Sequence, residues 1–244
     1  MSAPTNDQVN VGLALSGGGI RALVFHLGVF KCLAEIGYWE RISIISSVSG
    51  GSLAVGLILA LGNGQWPSSV DFLTETLSAA RQTVTGQDIQ SEYVKRVLLN
   101  PFKLLGGRAN IVGNILQSAW GLKGSGLLGV EARRWSTAFP FYLPPKRLID
   151  IATDQTRALR ARDLIGFFAE DPARGRYLYI ANSVPEIFRR AKKPVSVDCE
   201  VYQSDNDIEF CKRFKTTLHA PSKLDYDRLF VRGYEVAKAT VQAY

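Results

Sequence analysis

Apolar residues in the first sixty positions fall into two short runs and two helical stripes. Val9 to Leu15 is a short apolar run that stops at Ser16-Gly17-Gly18-Gly19, and it predicts a buried strand ending in a tight turn. Behind it, Leu23, Leu27, Phe30 and Leu33 recur at three- and four-residue spacing, which predicts a helix from Ala22 to Ile36 with Gly37 as its stop. Ile42-Ser43-Ile44-Ile45 then predicts a second strand, running into Ser47-Val48-Ser49-Gly50-Gly51 and an apolar helix from Leu53 to Leu61. The order strand, glycine turn, helix, strand, tight turn, helix implies two parallel strands joined by a right-handed crossover. The class is therefore α/β.

Beyond this unit the pattern is looser. Asn63 to Ser69 is a loop flanked and broken by Gly62, Gly64 and Pro67. Val70 to about Leu128 mixes helix with glycine-rich connections. Its last part, Ile111 to Leu128, carries one charge, Lys123, and fits either a lid or interfacial helix or plain core packing. Further strands are predicted at Arg147 to Ala152, Tyr177 to Ala181 and Val195 to Tyr202. An amphipathic helix is predicted from Asp225 to Tyr244, with Leu229, Phe230, Tyr234, Ala237 and Val241 on one side. With no internal repeat, residues 1–244 read as one domain, in which 9–61 bear the chemistry and 62–128 are the candidate lid region. Ile42 to Leu61 is about long enough to cross a bilayer, but Ser46, Ser47, Ser49, Gly50, Gly51 and Ser52 break it into a strand, a turn and a helix.

Composition narrows the class. With 46% hydrophobic and 21% charged residues, the 244-residue chain reads as a globular protein with a sizeable core. Its net charge of +7 favours anionic partners. The late basic groups (Arg189-Arg190, Lys192-Lys193, Lys212-Arg213, Lys215) fit a solvated face or an acidic membrane surface, and no nucleic-acid motif accompanies them. Cys32, Cys199 and Cys211 form no CxxC pair and there are two histidines, so no metal or other cofactor is expected, in a reducing compartment. The polar start MSAPTNDQVN lacks the profile of a secretion signal, so a cytoplasmic location with peripheral membrane contact is expected.

The chemistry centres on Ser49. A serine between a β-branched strand and an apolar helix, followed at once by glycines, fits a nucleophile elbow, although Ser47 stands where the common G-x-S-x-G form has glycine. Gly17, Gly18 and Gly19 follow the first strand and open a helix. Their N–H groups suit an oxyanion hole, because acyl transfer needs donors aimed at the oxygen that becomes negative. Arg21 could add an anion contact. Parallel neighbouring strands would bring both loops to the same sheet edge. A phosphate-binding loop competes for the glycines. The Walker form lacks its lysine here, and a dinucleotide fingerprint would need Ala22 in its last glycine place.

These segments resemble the patatin-like phospholipase family. The run Leu15 to Ala22 matches its glycine-rich oxyanion loop, His26-Leu27-Gly28-Val29 its following helix, and Ile45 to Ser52 is similar to its elbow. Looser likenesses lie at Ile151 to Asp154 and at Leu229 to Ala237. The resemblance implies a three-layer sandwich with a mostly parallel central sheet, here shortened. It also implies metal-free hydrolysis of phospholipid or other lipid acyl esters, of phospholipase A or lysophospholipase kind, by a serine–aspartate dyad. The family's Asp-Gly turn is missing, since no Asp-Gly pair occurs in the chain. Asp198 is the best substitute by context, with Asp154 and Asp150 behind it. A triad of Ser49, Asp198 and His219 satisfies the hydrolase order, and His26 reads as a packing or hydrogen-bonding residue. The alternative to a lipid acyl hydrolase is an inactive patatin-like module that binds lipid or a protein.

Overall fold

The computed structural model describes residues 10–99, 114–116, 118, 166, 175–200 and 202–244. Strand β1 (Val11–Leu15) leads into helix α1 (Gly19–Glu35), a 3₁₀ turn (Trp39–Arg41), strand β2 (Ile42–Ser47) and helix α2 (Gly50–Leu61). The two strands pair in parallel, from Val11 opposite Ile42 to Leu15 opposite Ser47, with an irregularity between Val11 and Gly12. The expected α/β unit is present, and among the described residues the sheet has these two strands. Residues 69–86 then form α3, which runs from Ser69–Asp71 through a π-helical turn (Phe72–Thr76) into Leu77–Gly86. Helices α4 (Ile89–Leu99), α5 (Val184–Arg190), α6 (Asp205–Arg213) and α7 (Lys223–Ala243) complete the described fold.

Helix α1 is the central element. Nearly all of its length is buried, as its apolar residues on every side require. One side shares a core with α2, α3 and the sheet. There Trp39 stacks on Phe72 (4.1 Å between centroids) and on Trp66 (4.7 Å), with Phe30 edge-on to all three. The other side packs Phe25, Val29, Cys32 and Leu33 against α5 and the second half of α7. Helices α1 and α7 touch backbone to backbone. A Cβ on Gly28 would lie 2.0 Å from the Phe230 carbonyl oxygen, and one on Gly233 would lie 1.9 Å from that of Phe25. Only glycine permits this approach.

Two expected strands are absent. Tyr177 to Ala181 does alternate, with Leu178 and Ile180 inward and Tyr177 stacked on Tyr179 outside, but its partner is a side chain. The fully buried Arg232 guanidinium donates to the carbonyls of Ile180 (3.0 Å) and Asn182, and to Glu235. Val195 to Tyr202 holds a 3₁₀ turn, Val197–Cys199, which seats Cys199 in the core and turns Val197 out to solvent. The C-terminal helix starts two residues earlier than expected. It buries a wider arc, including Arg232, Val236 and Thr240, because it packs on α1 and α5 at once, while Val241 faces outward. The strand expected at Arg147 to Ala152, and most of the 111–128 segment, lie outside the described residues; Ile115 and Leu116 within the latter are buried in the core.

Candidate active site

The elbow is built where β2 runs out. Val48 extends the ladder by donating its N–H to the Leu15 carbonyl (3.2 Å). The chain then turns so sharply that Ser49 takes φ 50° and ψ −117°, a conformation that side chains rarely adopt. Helix α2 starts at once, with Gly51 N–H on the Val48 carbonyl and Leu53 N–H on that of Ser49. The two glycines are sterically required. A Cβ on Gly51 would lie 2.7 Å from Cβ of Leu15, and one on Gly50 would lie 2.3 Å from the Gly19 carbonyl oxygen.

Ser49 occupies the N-cap position of α2 but makes no capping bond, and it is exposed. The contrast with the other helices is informative. Ser68, Ser183, Ser204 and Ser222 each accept from an N–H three residues on, and Asp88 does so for α4. Helix α1 begins at Gly18 and likewise has no side-chain cap. The two helices that open on this corner are therefore the ones without a side-chain cap, although the Thr217 carbonyl takes the Ile20 N–H of α1.

The structure brings the glycine loop and Ser49 together. A Cβ on Gly17 would lie 3.0 Å from Cβ and 3.6 Å from Oγ of Ser49, so loop backbone stands against the hydroxyl. Gly18 (φ 148°) and Gly19 (φ 60°) hold the left-handed turn that starts α1. Buried His26 fixes the loop's base: neutral, with Nε2 protonated, it donates to the Ser16 carbonyl at 3.1 Å. Burial pushes its pKa below the ordinary 6.5, against a smaller upward pull from that bond.

A strap formed by residues 214–219 roofs the loop. Thr217 offers its carbonyl to the Ile20 N–H (2.9 Å), and it lies so near that a Cβ on Gly19 would come within 2.4 Å of that oxygen. Arg21 Nη1 donates to the carbonyls of Lys212 and Phe214, both at 3.0 Å, so the candidate anion contact ties down the strap. On the other edge Gln90 accepts from the Thr217 hydroxyl and the Leu218 N–H, and Asp88 receives His219 Nδ1 at 3.0 Å. Burial works against the Asp88 charge, yet the Ser91 N–H and the His219 ring hold its carboxyl below the ordinary value.

The sequence-derived base does not join this corner. Asp198 is exposed on the Val197–Cys199 turn, where Gln242 near the end of α7 reaches its Oδ2 at 3.5 Å. Its neighbour Cys199 packs with Cys32, about 20 Å along α1 from the glycine loop at 1.5 Å per residue. His219 is paired with Asp88 instead of Asp198, so the Ser49–Asp198–His219 triad is not assembled. Asp150 and Asp154 lie outside the described residues. Among the described residues, none hydrogen-bonds the Ser49 hydroxyl and no group of three potential metal ligands occurs. Sequence reasoning missed Asp88, Gln90 and Thr217; Asp88 reads locally as a helix cap, and no spacing links it to His219, 131 positions on.

The corner thus sets a strained serine at a strand–helix turn beside a glycine-rich helix start, on an α/β unit. Residues 13–118, somewhat under half of the chain, match the family model described as patatin-like phospholipase. The match covers β1, the glycine loop, the elbow and α2 to α4. No curated protein and no solved structure matches the chain.

Proposed function

We propose that the protein is a lipid acyl hydrolase in which Ser49 is the nucleophile and the backbone of Gly17, Gly18 and Gly19 holds the oxyanion, within a shortened patatin-like sandwich. The observation that carries this is the strained, uncapped Ser49 packed against Gly17. Ser49 Oγ attacks the ester carbonyl while its proton passes to a base. The tetrahedral oxyanion collapses, the protonated alcohol leaves, and water hydrolyses the acyl-serine to release the fatty acid. The mechanism requires no metal. A fluorophosphonate probe tests the nucleophile directly: labelling confined to Ser49, with fatty-acid release from phospholipid vesicles lost in Ser49→Ala, is the expected result. Folded protein that neither labels nor releases fatty acid would end this reading.

One observation favours a second reading, an inactive lipid- or protein-binding module. The Ser49 hydroxyl has no described base beside it, and Asp198 stands at the other end of α1. The same probe separates the two, because a module without an activated nucleophile stays unlabelled while it still binds.

A further inference from the structure

The basic group Lys212-Arg213 with Lys215 is not used by the hydrolytic site. Of this group, Arg213 and Lys215 line an open cleft of about 560 Å³, within the size range of small-molecule sites. Glu209, Phe210, Arg213, Phe214, Lys215 and Thr217 line this cleft. Phe210 and Phe214 form its apolar floor as an edge-to-face pair 5.6 Å apart, both partly exposed. The rim is cationic. Its lining sets Arg213 and Lys215 against one carboxylate, Glu209, which accepts from Arg213 and, outside the cleft, from Lys212 (3.2 Å). Lys212 and Arg213 have a local explanation, since they close the C-terminal turn of α6 and favour its dipole. Lys215 has none. It lies beyond the helix, exposed, with no ion pair among the described residues.

We propose that this cleft docks the protein on a membrane by taking the phosphate of an acidic phospholipid on Arg213 and Lys215, with Phe210 and Phe214 as the apolar floor against which the bound lipid packs. The exposed cations stand outside the half-buried rings and meet the phosphate layer first, and the chain's +7 charge adds long-range attraction. The cleft also shares the strap with the candidate active site. Thr217 lines it and caps Ile20 of the glycine-loop helix, and Phe214 is held through its carbonyl by Arg21. The use made of the docked lipid rests on the hydrolase reading; the docking does not.

Docking is measured by co-sedimentation in the Ser49→Ala background, so that no hydrolysis alters the vesicles. Vesicles of phosphatidylglycerol with phosphatidylcholine should bind the protein, and pure phosphatidylcholine should bind it far less. Arg213→Glu with Lys215→Glu should weaken binding at least about ten-fold, and Phe214→Ser should weaken it with the charge intact. Arg189→Glu with Lys193→Glu makes the same charge change elsewhere and should cost less than about three-fold. Free inorganic phosphate at constant ionic strength should not release the protein. Equal losses in the two charge-reversed pairs would overturn the proposal in favour of diffuse attraction, and release by phosphate would overturn it in favour of a small-anion site. Retained binding in the Arg213/Lys215 pair would also overturn it, as would equal binding to neutral vesicles. Should Arg213→Glu disturb its pair with Glu209 and unfold α6, Lys215→Glu alone carries the test. Failure of the hydrolase reading is seen separately, in fatty-acid release by protein that retains Ser49.

Discussion

At φ 50° and ψ −117°, Ser49 stores backbone strain that glycine would not. Such a conformation costs a side-chain-bearing residue about 1–3 kcal/mol, and glycine's larger unfolded-state entropy takes back about 0.5–1 kcal/mol. Ser49→Gly should therefore stabilise the fold by about 1 kcal/mol, raising Tm by about 2–4 °C, while abolishing fluorophosphonate labelling. Ser49→Ala should abolish labelling without that gain. Calorimetry on the two variants checks the difference, and equal melting temperatures would mean the turn is unstrained. The proton acceptor is sorted at the same scale. Asp198→Ala should leave labelling within about two-fold of wild type, because its carboxylate meets Gln242 far along α1. His219→Ala, on the strap over Gly19, should slow labelling more than Asp198→Ala does.

Among the elements, the contact between α1 and α7 is the most exacting. At Gly233 an added side chain would meet the Phe25 carbonyl at 1.9 Å, and that atom belongs to a packed helix that cannot step aside. Gly233→Leu should cost about 3 kcal/mol or more and lower Tm by about 6–12 °C. Gly56 is the control. It lies within α2 with nothing inside 4 Å of an added Cβ, so Gly56→Ala should stabilise by about 0.5–1 kcal/mol. Elements of this kind were the legible part of the chain. The strand–turn–helix signals of residues 11–61 are local, and each residue's partner lies a few positions away or across one parallel pairing. The failures were non-local. The alternation at 177–181 predicts a strand, yet the carbonyls of Ile180 and of Asn182 just beyond it are taken by Arg232, some fifty residues later, and a period-two pattern cannot say whether its neighbour is a strand or a guanidinium. Ser49 and the glycine loop were readable for the same local reason, whereas the strap and its Asp88–His219 pair come together only through packing.

For the molecule as a whole, the glycine loop is wedged between the core and the strap, and His26 couples its geometry to global stability. The ring is buried and neutral, with its pKa below 6.5 in the fold, and about 6.5 is the value expected once the chain unfolds. Between those two values the unfolded chain binds a proton that the folded chain refuses. Stability therefore falls as pH drops through this window and levels off below the folded value. Asp88 contributes in a lower range. Its carboxyl is held below 3.8, so its contribution is complete above that value and is lost as pH falls through the depressed one. Urea midpoints from about pH 7.5 to about pH 5.5 isolate the histidine. Wild type should lose stability across this interval. His26→Gln keeps an amide donor able to reach the Ser16 carbonyl but cannot titrate, so its profile should be flatter. Parallel profiles would assign the pH dependence to other groups, whereas a flatter His26→Gln profile would make mild acid a way to loosen the oxyanion loop with Ser49 left unchanged.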